Sequence, residues 1–445
     1  PEPHPLWSGT LDATRPASEC PQINFRGQVK GSEDCLYLNI YTPDPPGSGL
    51  PVMVWIHGGT FLIGSGAQYD GSRLAAKGNL VVVTINYRLG PLGFLAHPAL
   101  DAENLRHISG NYGLLDQQAA LRWVRENISG FGGDPKNVTV AGESAGAISV
   151  GVQMVSPGAK GFFERAIMES GPFLPKRTLK QAEAQGIYFA DKLGYDKVTD
   201  AANCMRSKNI AEILRAIPAS PTGRLVWAPV IDGDVVPSQV IEAFSSGRFN
   251  KVPVINGSNH NEGTLFLAFA SPISAGQYQA GLNKRFGGNA DNMLAAYPLK
   301  LYTSAAQAAA AQVGDGIFSC PIIGASAILS KSVPVYAYEF NDQHAPTAPW
   351  LPEASFPYGA YHGSEIQYLF GNGKALSAGQ RKLSDDMIGY WTGFIRSGDP
   401  GTHSPRWTAY SPGAANVLSL APGAIAYESD FSKVHHCAVW QSLHC

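Results

Sequence analysis

The sequence predicts an α/β protein built on a mainly parallel sheet, and three features carry that prediction. Short apolar runs rich in β-branched residues recur along the 445 residues, helical patterns separate several of them, and 44% hydrophobic against 15% charged residues is enough to bury a large core. The runs are Cys35 to Tyr41, Val52 to His57, Leu80 to Tyr87, Val138 to Gly142, Ala166 to Ser170, Val252 to Gly257 and Val335 to Phe340. Continuous rather than alternating apolar sequence suits strands covered on both faces. Asp116 to Asn127 and Ser144 to Val155 have helical patterns, which makes βαβ units. Ala-rich helical sequence breaks the alternation over 175–230 and 265–330, and these stretches are expected as insertions that wall a pocket in a single domain spanning 1–445.

Charge and cysteine usage narrow the function classes. Lys plus Arg total 33 and Asp plus Glu 35, with no charged block, so nothing points to nucleic acid or a polybasic membrane contact. No 18 consecutive residues are apolar, and Pro1-Glu2-Pro3-His4-Pro5 has neither an initiator Met nor a signal-peptide pattern. The expectation is a soluble chain, already processed or trimmed. Cys20, Cys35, Cys204, Cys320, Cys437 and Cys445 form no Cys-x-x-Cys pair, and no Cys/His cluster has zinc spacing except His435-His436-Cys437. No metal or other cofactor is expected. An even, dispersed set suits disulfides and a secreted or periplasmic location, with reduced core thiols as the alternative.

The chemistry begins at Gly142-Glu143-Ser144-Ala145-Gly146, which follows the strand-like Asn137 to Ala141 and precedes a helix. A turn this sharp strains the serine backbone and leaves no room for flanking side chains, so the hydroxyl stands out at the tip of a sheet. Gly-x-Ser-x-Gly alone is weak; the flanking strand and helix strengthen it. The strand Val54 to His57 runs into Gly58-Gly59, where backbone N–H groups can face a developing oxyanion unobstructed. In an α/β-hydrolase the donors are this loop and the residue after the nucleophile, here Ala145. His57 is expected to hold the loop, because in this fold the base comes last in the chain.

The order Ser, acid, His places the partners after 144. Glu262 follows the run Val252 to Gly257 and is the favoured acid, with Asp232 as competitor. His362 lies in the glycine-flanked Gly359-Ala360-Tyr361-His362-Gly363 and is the favoured base, against His344, His403, His435, His436 and His444.

With these residues in view the chain resembles the type-B carboxylesterases, the family that includes cholinesterases. Glu33 to Tyr41 and the Gly142 to Gly146 block match its two signatures. The likeness continues through His57-Gly58-Gly59, Asn86 to Gly90, Gly110 to Gln117, Ile231-Asp232-Gly233, Asn261-Glu262-Gly263 and Tyr361 to Glu365, nearly the whole chain. It implies an α/β-hydrolase fold with Ser144 as nucleophile, His362 as base, Glu262 as acid, and Gly58, Gly59 and Ala145 as the oxyanion hole. It also implies disulfides Cys20–Cys35 and Cys320–Cys437. Cys204 matches half of another family loop, whose partner position is Tyr195 here. Family members carry a longer N-terminal segment, so these 445 residues are expected to be less than the native protein. The short Cys20–Cys35 loop lacks the lid of related lipases and the Trp with which cholinesterases hold quaternary ammonium.

The expected activity is hydrolysis of small to medium soluble, including aromatic, carboxylic esters by an acyl-enzyme route, in a monomer or homodimer. It should fall at acid pH as the imidazole is protonated. Amide or carbamate hydrolysis by the same residues, and a non-catalytic adhesion role, are the alternatives. Trp227, Phe173, Phe266, Phe356 and Tyr358 are candidates to line an aromatic pocket. Sequons stand at Asn127, Asn137 and Asn256.

Overall fold

The computed structural model describes residues 1, 8–10, 12–172, 177–195, 200–217, 227–270, 272–371, 375–401, 403–414 and 416–443. The pocket candidate Phe173 and the thiol of Cys445 lie outside the described residues. The chain divides into two compact units, Pro1–Ala166 with Phe173–Lys251, and Ile167–Pro172 with Val252–Cys445.

In the first unit β1 (Gln22–Ile23) and β2 (Val29–Lys30) form a short antiparallel pair. Strands β3 (Leu38–Tyr41), β4 (Leu50–Ile56), β5 (Val81–Ile85) and β6 (Gly133–Glu143) lie in the order β6-β4-β5-β3. β4 runs parallel to β5 and β6, with Ile56 opposite both Ile85 and Gly142, and β3 is antiparallel to β5. Every residue of β4 and β5 is buried, as their almost wholly apolar sequence demands. The helix Ala145–Val155 is buried along its entire length. Its polar residues are satisfied by the helix Tyr112–Asn127: Gln117 Nε2 donates to Ser149 Oγ at 3.0 Å, and Gln153 Nε2 to Gln117 Oε1 at 3.0 Å. Both helices are therefore pinned in register by a buried amide network.

In the second unit β8 (Val254–Asn259), β9 (Val335–Phe340), β10 (Val417–Leu420) and β11 (Ala426–Glu428) follow β7 (Arg165–Glu169), in the order β11-β10-β9-β8-β7. β8 and β10 both run parallel to β9, and β11 turns back antiparallel to β10. A capping box at Ser377 and Gln380 starts the helix Ala378–Ser397, whose buried face includes Trp391 and Phe394. Trp391 packs on Tyr338 and Trp407, and its Nε1 donates to Glu169 Oε1 at 2.7 Å.

Each of the seven apolar runs overlaps a strand. The stretches expected as insertions are helical where described, with Leu179–Lys192, Ala201–Arg206 and Ile210–Arg215 in one and Ala275–Phe286, Ala290–Ala296, Ala305–Val313 and Cys320–Leu329 in the other. Ala305–Leu329 is a continuous helical stretch with an 18-residue window of mean hydropathy 1.3, enough by length and composition alone to cross a membrane. Its window is 61% buried in the chain itself, as for a core helix. Disulfides join Cys20 to Cys35 and Cys320 to Cys437, and Cys204 is a free thiol. The sequon asparagine Asn256 is fully buried and donates to Ile322 O and Ser326 Oγ, which closes it to glycosylation.

Candidate active site

In the first unit β6 ends at Glu143 and the helix begins at Ala145, leaving Ser144 alone in the turn at φ 55° and ψ −121°. That is a strained backbone for a residue with a Cβ. The neighbouring glycines explain how it is held. A Cβ on Gly146 would lie 1.9 Å from Ile56 O, and one on Gly142 would lie 2.6 Å from Gly146 C. Strand and helix thus pack backbone to backbone, and no alanine fits between them. Gly146→Ala should lower the unfolding free energy by about 3 kcal/mol in a urea titration, the upper range for overpacking a tight core. A change below about 0.5 kcal/mol would contradict this close packing.

The loop after β4 meets the same turn. A Cβ on Gly58 would come within 3.1 Å of Ser144 Cβ and 2.9 Å of Glu143 O. Gly59, Thr60 and Phe61 all have positive φ, and Leu62 and Ile63 donate back to Gly59 O. His57 holds this loop from inside. Its Nδ1 lies 2.7 Å from Gly58 O, its ring stacks on Tyr87 at 4.4 Å, and Tyr87 OH donates to His57 O. Nδ1 therefore carries the proton and donates. Full burial pushes the His57 pKa down, against the hydrogen bond to Gly58 that pushes it up, to about 4.

This group binds fewer protons folded than unfolded. Its contribution is unchanged above the unfolded pKa of 6.5 and costs stability progressively as pH falls from there to about 4. The loss should reach about 3 kcal/mol. The gap in urea midpoint between pH 7 and pH 4.5 should accordingly narrow in His57→Gln; an equal gap in both proteins would exclude this assignment.

In the second unit Glu262 follows β8 and is completely buried. Its Oε1 accepts the Asn259 N–H at 2.8 Å, and its Oε2 lies 2.6 Å from His362 Nδ1. This contact fixes the imidazole ring by one nitrogen. The loop bearing His362 is stitched to the turn bearing Glu262: Asn259 Nδ2 donates to Tyr361 O at 2.8 Å, Asn261 Oδ1 accepts from Ala360 N at 3.0 Å, and Thr264 Oγ1 donates to Tyr358 O at 2.7 Å. Asn259 Nδ2 also donates to Glu365 Oε2. Gly359, at φ +59°, stands where a Cβ would meet Asn261 Oδ1 at 2.3 Å. Sequence reasoning missed Asn259, Asn261 and Thr264, though their clustering around Glu262 was a signal.

The rival residues are engaged elsewhere. Asp232 accepts from the N–H groups of Asp234 and Val236 and from Asn111 Nδ2, so it ties a turn. His435 is wedged between Asp315 and Glu339. Among the aromatic candidates, Phe266 is 38% exposed with its ring 5.1 Å from that of His362, and Phe318, which the sequence reading passed over, lies at 4.8 Å. Tyr358 is half-buried, its OH donating to Pro352 O. Trp227 and Phe356 are buried, Trp227 edge-on against Phe189 at 5.0 Å.

A parallel sheet flanked by helices, with a serine held at positive φ between strand and helix, defines an α/β-hydrolase. The sequence profile of the carboxylesterase family matches residues 1–440, and the chain belongs to that family. It is 37% identical over 454 aligned residues to the para-nitrobenzyl esterase of Bacillus subtilis (strain 168), covering 97% of this chain and 88% of that one. Identity to the fumonisin B1 esterase of Sphingopyxis macrogoltabida is 39%, with 92% and 78% covered. Among solved structures, a thermophilic PNB esterase superposes with a TM-score of 0.82 at 34% identity, covering 99% of this chain and 92% of the other.

Proposed function

We propose that the chain hydrolyses small to medium carboxylic esters through an acyl-enzyme formed on Ser144, with His362 as general base and Glu262 as the acid that orients it. The observation that carries this reading is the 2.6 Å contact from His362 Nδ1 to Glu262 Oε2, because it leaves Nε2 as the nitrogen for proton transfer. Nε2 takes the Ser144 proton as Oγ attacks the ester carbonyl, and the imidazolium is stabilised by the buried carboxylate. The N–H groups of Gly58, Gly59 and Ala145 stabilise the tetrahedral oxyanion. Collapse expels the alcohol, which takes the proton from Nε2. Water, deprotonated by the same nitrogen, then releases the acid.

Substrate size is read from the aromatic surroundings of His362. Phe266 and Phe318 offer ring faces to an acyl or alcohol group, and two of the relatives are named para-nitrobenzyl esterase and fumonisin B1 esterase. Two disulfides favour an oxidising, extracytoplasmic compartment. Residues 1–440 match one family throughout, which supports treating the chain as one functional hydrolase domain.

Labelling tests the assignment. An aryl organophosphate should add one phosphoryl group per chain, found by mass spectrometry on the peptide carrying Ser144, with parallel loss of p-nitrophenyl ester hydrolysis. Activity that survives full labelling, or a label on another residue, would refute it.

A further inference from the structure

We propose that His260, Glu339 and His435 form a binding site for one divalent transition-metal ion, Zn2+ by the nature of the donors. The site lies within the second unit and uses none of Ser144, Glu262 or His362 as ligand. Glu339 points from β9 and is 1% exposed. Its Oε1 is approached by His260 Nδ1 at 3.1 Å and by His435 Nε2 at 2.5 Å. The three ligand atoms lie within 4.8 Å of one another.

Two imidazoles and one carboxylate are the donor set of open zinc centres, whereas Mg2+ and Ca2+ favour oxygen ligands throughout. Ligands about 2.1 Å from zinc in a tetrahedron stand about 3.4 Å apart. Glu339 and His435 need only part slightly to admit the ion, and the His260 side chain, 27% exposed, is bounded partly by solvent rather than by packed core.

Two further features match a metal centre. His435 Nδ1 lies 2.6 Å from Asp315 Oδ1, and Asp315 Oδ2 accepts from Tyr297 OH, which in turn accepts from Trp440 Nε1. A carboxylate on the far nitrogen is how a zinc-bound histidine is oriented. A cavity of about 130 Å3 adjoins the cluster, lined by His260, His435, Asp315, Glu262 and Gln307 among others. That volume accommodates a water as fourth ligand.

The ion competes with a proton. Burial pushes the His435 pKa down, but the hydrogen bonds to Asp315 and Glu339 push it up and prevail, to about 10. Zinc must displace that proton, so its affinity rises with pH.

The test is calorimetric titration of metal-stripped protein with ZnCl2, repeated on His260→Ala. One site per chain is expected, weakened at least tenfold in the variant and unchanged in His107→Ala, which removes an exposed histidine elsewhere. A second readout needs no variant: CoCl2 should give the intense visible absorption of a four- or five-coordinate ion with nitrogen and oxygen donors. Absence of a stoichiometric site, equal affinity in wild type and a folded His260→Ala, or only the weak spectrum of octahedral Co2+ would each overturn the proposal and leave a proton-bridged clamp.

Discussion

Ser144→Ala should lower kcat on a p-nitrophenyl ester by at least about 10^4-fold, with stability unchanged or raised. The size follows from the role proposed for the hydroxyl, since without Oγ no acyl-enzyme forms and only oxyanion stabilisation and binding remain. The stability follows from local structure. Ser144 is confined by glycines that admit no extra atoms, and alanine removes one atom without adding any. Alanine tolerates the positive φ no worse than serine does. Activity loss with an unchanged melting temperature therefore separates chemistry from folding. A variant retaining more than about one per cent of kcat would remove Ser144 from the mechanism.

The second large effect is expected at the acid. Glu262→Gln preserves volume and the hydrogen bond from Asn259 N–H to Oε1, but it can place an amide donor opposite His362 Nδ1. The imidazole then satisfies that donor with an unprotonated Nδ1 and carries its proton on Nε2, the wrong tautomer to accept one from serine. The lost carboxylate also leaves the imidazolium without its counter-charge. Together these should reduce kcat by about 10^3- to 10^4-fold with KM changed far less. Glu262→Asp, which keeps the charge but shortens the reach, should recover part of the rate. A Gln variant within tenfold of wild type would leave Glu262 a structural carboxylate, and Asp232, already committed to its own turn, could not replace it.

Much of the fold was legible because burial on both faces leaves a plain mark. β4, β5 and β9 are predominantly apolar stretches, interrupted only by Pro51, Thr84 and Glu339, and β9 begins and ends at Val335 and Phe340 as the sequence indicates. β10 and β11 were not found. They are only four and three residues long, and β11 is largely exposed, so neither sustains an apolar pattern. The helix Ala378–Ser397 was equally passed over although its capping box and Gly398 stop are written in the sequence. Two short, glycine-punctuated motifs, at Ser144 and at Gly58-Gly59, were readable because their geometry tolerates so few residues.

What the sequence determined by itself was which residues are capable of the chemistry: a serine between obligatory glycines, a glycine loop after a buried strand, and an acid and a histidine in the order the fold requires. Only the tertiary structure shows how differently the competitors are surrounded. Asp232 and Glu262 are both carboxylates after apolar runs, and one is consumed by backbone N–H groups while the other is buried 2.6 Å from a histidine. Likewise His260, Glu339 and His435 lie 79 and 96 positions apart, and no local pattern unites them. Hydrogen bonds and ligand contacts act over about 3 Å, a length set by packing and not by separation along the chain.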